Sequence, residues 1–261
     1  MNTVKNGSRG NDVKLLQRLL NLTDDGVFGP KTEAVVKVWQ AANGLVADGI
    51  VGPRSWKKLA DIYCVDSSVV YDPLAVSVSK SRNRSIKYIA LHYTAGSKSA
   101  PGCAKAVKSV FESRAASADF AVDDKDIVQF NPDIANNYTW AVGDPRNTAS
   151  GGASLYGICT NRNSISIEMC SVRLSGWSAK WANHEGWCFT ERTIENARKI
   201  VRILMRKYNI PIGNVVRHYD ASGKLCPGVV GWNKGMIYNN LGISTGRRNN
   251  EDCWLQFKKS L

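Results

Sequence analysis

The chain has 261 residues, enough for one large domain or two smaller ones around a buried core. Hydrophobic residues make up 43% and charged residues 22%, ordinary globular usage that excludes a disordered, collagen-like or coiled-coil chain. The formal charge of +13 implies attraction to a polyanion without naming it, and no stretch reaches the roughly 20 apolar residues that a membrane-spanning helix needs.

The amino terminus, Met1 to Gly10, lacks the apolar core of a secretory signal, which predicts synthesis in a cytosol. Val13, Leu16, Leu19 and Leu20 then fall at helical spacing. Next comes Asp25-Gly26-Val27-Phe28-Gly29-Pro30-Lys31-Thr32, echoed 23 residues later by Asp48-Gly49-Ile50-Val51-Gly52-Pro53-Arg54-Ser55. In each copy Asp-Gly supplies a turn, and Pro suits the first position of a new helix. Between the copies, Ala34, Val35, Val38, Trp39 and Ala42 recur at helical spacing and predict a second apolar helix face. Residues 1–62 thus read as a small all-α module.

Residues 63–84 are polar and weakly periodic and read as a linker. From Ile86 to Tyr93 a mostly apolar run predicts a strand covered on both faces. Phe120–Asp123 and Ile127–Phe130 flank Asp124-Lys125-Asp126 as a hairpin, and Ser164–Met169 alternates with period two. A helix is predicted over 191–208, with Ile194, Ala197, Val201 and Leu204 on its apolar face and Thr190 as N-cap. Val215-Val216 reads as a strand that delivers His218. Residues 85–232 therefore read as a mixed α/β domain, a central sheet flanked by helices, and 233–261 as a C-terminal extension. In that extension Trp254, Leu255 and Phe257 stand among Arg247, Arg248, Lys258 and Lys259, a pattern that fits a packed helix or a contact surface equally.

Histidine is scarce, three in the chain, so a site using two must draw on distant segments. His92 ends one predicted strand, His218 closes another, and Cys226 follows in Gly223-Lys224-Leu225-Cys226-Pro227. Two imidazoles and one thiolate make a three-ligand set of the kind that leaves a catalytic zinc with an open position. On spacing alone, packed or hydrogen-bonded histidines are the commoner reading. The seven cysteines lack C-x-x-C spacing, so free or buried thiols are expected rather than a disulfide framework.

The doubled D-G-x-x-G-P-x-T/S resembles the three-helix peptidoglycan-binding module found beside many cell-wall hydrolases. Downstream, Ile89–Ala95, Ser117–Asp123, Ser164–Met169, Val216–Asp220 and Gly223–Pro227 occur in the order of another family. Together they resemble the zinc-dependent N-acetylmuramoyl-L-alanine amidases of the type 2, peptidoglycan-recognition-protein fold, especially phage and prophage lysins. The resemblance implies one catalytic Zn2+ on His92, His218 and Cys226, with Glu168 as catalytic carboxylate, Lys224 as a cationic helper and Thr94 lining the site. It implies hydrolysis of the amide between N-acetylmuramic acid and L-alanine, with peptidoglycan as partner, after release of the protein to the cell wall. Noncatalytic receptors on this fold typically lose the thiolate ligand, so Cys226 favours an enzyme. Nucleic acid is not an expected partner, since no recognition helix, aromatic platform or zinc-finger spacing accompanies the charge. Stable membrane insertion is not expected either.

Two departures stand out. Lysins of this branch usually carry an aromatic-His pair where this chain has Ala118-Asp119, and W-H-A-G where it has Trp140-Ala141-Val142-Gly143. Neither missing histidine is a metal ligand in the family pattern. The Asn147–Asn161 segment, and the stretch bearing Trp177, Trp181, His184 and Trp187, are expected as long loops.

Overall fold

A computed structural model describes residues 1–95, 102–174, 182, 186–233 and 251–261. Trp177, Trp181, His184, Arg247 and Arg248 lie outside the described residues.

Three helices form the amino-terminal unit: α1 (Asn11–Leu19), α2 (Pro30–Ala42) and α3 (Pro53–Tyr63). Pro30 and Pro53 open the second and third, where the missing N–H costs nothing. Val13, Leu16, Phe28, Val36, Val51, Trp56 and Leu59 make its core. The repeat is held by a device that hydrophobic periodicity does not show. Gln17 donates to Asp25 Oδ1 (2.7 Å) and to Val27 O, and accepts from Gly26 N. Gln40 does the same with Asp48 Oδ1 (2.9 Å), Ile50 O and Gly49 N. Each buried amide thus closes one Asp-Gly turn and leaves no polar atom wasted. For this reason α2 buries Thr32, Val36 and Gln40, and the expected face is corrected: Ala34 is exposed and Val38 is 71% exposed.

The segment 63–84, expected as a linker, is woven into the second unit. It carries β1 (Val70–Tyr71) and β2 (Val78–Lys80), and Leu74 is fully buried. The other strands are β3 (Tyr88–Tyr93), β4 (Phe120–Val122), β5 (Ile127–Gln129), β6 (Asn137–Thr139), β7 (Ser164–Met169), β8 (Val172–Arg173), β9 (Trp187–Cys188) and β10 (Val215–Arg217). The helices are α4 (Val107–Glu112), α5 (Glu191–Tyr208), α6 (His218–Ser222) and α7 (Asp252–Lys259). Among the described residues the main sheet has six strands in the order β1-β5-β4-β7-β3-β10. It is mixed: β10, β3, β7 and β4 run parallel, and β5 pairs antiparallel with β4 as the predicted hairpin.

Alternation along these strands separates two layers. Ile89, Leu91, Ile165, Ile167 and Val215 face Ala197, Ile200, Val201 and Leu204 of α5 in the largest core. Ala90 and Val216 belong to a smaller cluster with Val142, Cys159 and Ala221. Thr190 caps α5 as expected, accepting from Thr193 N. The two units touch through polar contacts: Asp24 pairs with Arg18 (2.6 Å) and with Lys80 (2.9 Å), and Gln129 Nε2 donates to Tyr63 O (3.0 Å).

The carboxy-terminal segment ends in a packed helix. Trp254 and Phe257 of α7 stack on each other and meet Trp232 in tilted contacts, and Arg217 ties Asp220 (2.7 Å) to Glu251 (3.1 Å). Leu255 stays exposed. No helix among the described residues is long and apolar enough to cross a membrane.

Candidate active site

Parallel pairing sets the site. In the β3–β7 register His92 lies opposite Glu168, and in the β10–β3 register Arg217 lies opposite Leu91, so His218 follows one step beyond. Three distant segments are thereby brought abreast at the carboxyl ends of adjacent parallel strands, about 4.8 Å apart. His218 is the first residue of α6, which ends at Gly223 in the left-handed region (φ 83). That turn brings Lys224 and Cys226 back to the strand ends. A side chain at Gly223 would place its Cβ 1.6 Å from Asn147 O, so both the turn and the close approach demand glycine.

His92, His218 and Cys226 are buried, and their ligand atoms all lie within 4.8 Å of one another. Cys226 Sγ stands 3.8 Å from His92 Nδ1, and the two imidazole centroids are 4.6 Å apart. His92 Nε2 and His218 Nε2 are buried without hydrogen bonds, and an unsatisfied buried polar atom carries a cost. Burial, then the charges of His218 and Lys224, drive the His92 pKa well below the usual histidine value. His218 is held at about 4 by burial and by Lys224, against Asp144. Both imidazoles are thus neutral at pH 7, with lone pairs free. Burial raises the Cys226 thiol, as does Glu168. Two neutral imidazoles and one thiol in a buried triad fit a tetrahedral N/S-preferring cation, whose binding would release the thiol proton.

Around this triad opens a cleft of about 530 Å³, lined also by Thr94, Trp140, Ala141, Asp144, Glu168 and Lys224. Burial raises the Glu168 pKa to about 7, with Lys224 opposing, and its Oε2 is buried without a hydrogen bond. Thr94 follows β3, its N–H bonded to Met169 O (3.1 Å), so its backbone joins the ends of β3 and β7. Lys224 is anchored by Asp144, whose Oδ2 lies 2.8 Å from Nζ. Burial works against the Lys224 charge, but Asp144 and the acidic groups of Cys226 and Glu168 hold its pKa above the usual lysine value. The structure therefore brings together all six residues singled out from the sequence.

Asp144 was not among them. Its only signal was its place directly after Trp140-Ala141-Val142-Gly143. Ala141 lines the cleft, but Ala118 and Asp119 do not: both are fully buried, Ala118 in an apolar cluster and Asp119 beside Arg84. Of the expected loops, Asn147–Asn161 packs on α6 through Ala153 N to Tyr219 O and Leu155 N to Asp220 O. Trp187 is buried. No disulfide joins any of the seven cysteines. A second buried group, Cys103, Asp123 and Cys170, lies within ligand distance. There the Asp123 carboxylate is engaged by the backbone N–H groups of Ala104, Lys125 and Asp126, which makes it a turn-building residue.

A peptidoglycan binding domain matches residues 9–59. CwlH of Bacillus subtilis (strain 168), an N-acetylmuramoyl-L-alanine amidase, is 34% identical over 143 residues, 54% of this chain and 46% of CwlH. CwlA of the same strain, likewise an N-acetylmuramoyl-L-alanine amidase, is 31% identical over 141 residues, 54% of this chain and 43% of CwlA. The chain thus spans less than half the length of these relatives. The solved catalytic domain of XlyA is 27% identical and superposes with a TM-score of 0.45, covering 74% of this chain and 97% of that one. The family model for N-acetylmuramoyl-L-alanine amidase matches residues 82–229, more than half of the chain, and the chain belongs to that family.

Proposed function

We propose that the chain is a zinc-dependent peptidoglycan hydrolase that cleaves the amide between N-acetylmuramic acid and L-alanine at the bacterial cell wall. His92, His218 and Cys226 would hold the ion, with Glu168 and Lys224 as catalytic groups and Thr94 in the substrate-binding wall. Residues 1–62 would hold the enzyme on its polymer, and 85–232, with 63–84 woven into the same unit, would carry the catalysis. The observation that carries this reading is the half-buried Glu168, its Oε2 sealed from solvent, set by strand register beside a buried His/His/Cys triad.

Zinc in such a site supplies Lewis-acid polarisation of a carbonyl and acidification of water. The remaining work falls to the chain. Glu168, with a pKa raised to about 7 by burial, is matched to accept a proton from the attacking water at neutral pH and return it to the departing amine. The Lys224 ammonium faces the charge that develops on the carbonyl oxygen. The cleft walls, Val107, Val110 and Phe111 on one side and Trp140 on another, limit water around the scissile bond.

Mass spectrometry of fragments released from peptidoglycan tests this. Stem peptides beginning at L-alanine, lost on chelation and restored by zinc, are the expected result. Intact muropeptides across several wall types, from protein shown to contain zinc, would overturn it. Cys226→Ser is expected to lose both zinc and turnover.

A further inference from the structure

Lys224 Nζ and His218 Nε2 both face one carboxylate oxygen. Asp144 Oδ2 lies 2.8 Å from the first and 3.4 Å from the second. The acidic residues lining the cleft, among those described, are Asp144 and Glu168, and Glu168 is placed by β7. The remaining carboxylate, Asp144, thus faces a candidate ligand, His218, and the Lys224 ammonium with one oxygen.

Both sides of this contact are held by backbone. The Ala141 and Val142 N–H groups donate to Asn161 Oδ1 at 2.9 and 2.7 Å, fixing the strap that carries Asp144. Asn147 N donates to Ser222 O (2.7 Å), and Ser150 Oγ donates to Gly223 O (2.7 Å), locking that strap to the turn that carries Lys224. The lysine side chain is itself more than half exposed. Left alone, its four-carbon stem would sample many rotamers, and the entropy of placing it would be lost at each turnover.

We propose that Asp144 is the positioning residue of this site: it anchors the Lys224 ammonium over the cleft and orients the His218 imidazole for metal binding. The proposal rests on the amidase reading for its Lys224 half only. A carboxylate facing Nε2 favours the tautomer with its proton there and leaves Nδ1 as the metal-directed lone pair, the usual task of a carboxylate behind a ligating histidine. At 3.4 Å the His218 contact is electrostatic rather than a hydrogen bond. Its strength therefore depends on the negative charge, which separates aspartate from asparagine.

Asp144→Asn, Asp144→Ala, Lys224→Ala and the Asp144→Ala/Lys224→Ala pair test it in the full chain, with melting temperature as a folding control. The Asp144 variants are expected to raise the zinc dissociation constant, read by chelator competition, by about tenfold to a hundredfold. At saturating zinc they are expected to lower kcat on peptidoglycan by a similar factor with KM little changed. In the Lys224→Ala background the Asp144→Ala loss in kcat should vanish. If neither Asp144 variant changes zinc affinity, the His218 role is overturned. Fully additive kcat losses would overturn the Lys224 role. A wild-type chain that binds zinc but releases no stem peptides would sink the amidase reading instead, and the zinc titration would still decide the His218 role.

Discussion

His92 and Glu168 are register partners on neighbouring parallel strands, so an imidazole of the buried His/His/Cys triad and the carboxyl of Glu168 share one face of the sheet with no loop between them. Placement on strands gives the pair the fixed geometry that proton transfer needs. Glu168→Gln keeps shape but removes the base. It should lower kcat by a factor of roughly 10²–10⁴ while leaving zinc stoichiometry intact. In wild type, activity should fall on the acid side at or below about pH 7, since burial raises Glu168 to that value and a bound cation can only lower it. Loss of zinc from Glu168→Gln, or an unchanged acid limb in its residual activity, would contradict the role.

Metal-free protein should show opposed pH effects on stability. His218 is held at about 4, below its unfolded value of 6.5, so its contribution is present above pH 6.5 and lost as pH falls towards 4. Glu168 is raised to about 7, so its contribution is present below about pH 4.5 and lost as pH rises through 7. Each amounts to something on the order of 3 kcal/mol, and the two offset each other. Removing one exposes the other. Urea midpoints of metal-free Glu168→Gln should climb steadily from pH 4 to pH 6.5, while the wild-type profile stays flatter.

Asp119 and Arg84 form a fully buried pair at 3.6 Å. Asp119 also accepts from Asn131 Nδ2 (2.6 Å), Thr139 Oγ1 (2.8 Å) and Ser166 N (2.7 Å). Arg84 donates to the carbonyls of Ile134, Asn137, Asn161, Arg162 and Ser164. Removing one partner leaves the other charge uncompensated. Asp119→Ala should cost roughly 3–5 kcal/mol of stability. Asp119→His, the residue usual in related lysins, should also destabilise rather than raise activity. Chemical denaturation and a turnover assay on the same samples check both.

In the amino-terminal unit Gln40→Leu keeps volume but strands Gly49 N and the Ile50 carbonyl, while Asp48 keeps only its bond from Ile50 N. A loss of about 1–3 kcal/mol is expected, by the cost of an unsatisfied buried polar group. Gln17→Leu should lose a similar amount, because its bonds are the same ones 23 residues earlier. A Gln40→Leu chain as stable as wild type, by thermal melting, would show the amide to be dispensable.

The sequence by itself determined the elements and the residue types. Period two in Ser164–Met169, the apolar run ending at His92 and the capped pattern over 191–208 each encode local structure, because side-chain direction follows backbone period. The duplicated Asp-Gly and Pro positions announced a repeat of turn and helix. What only the tertiary structure decided is which residues meet. Nothing in the spacing of Gln17 and Gln40 shows that a polar face turns inward, because the turn amides they satisfy are matched only after folding. Nor does local pattern show that residues 70–80 join two sheets, since strands two and three residues long are too short to carry a period. Asp119 stands where related lysins carry a histidine, and its role as a buried partner of Arg84 was not legible, because its neighbours come from four separate segments. Asp144 reaches His218 and Lys224 only because Gly223 lets the α6 turn lie against Asn147. Contacts of this kind depend on strand order and loop packing, which have no local sequence period, and so the His/His/Cys triad was legible while the carboxylate beside it was not.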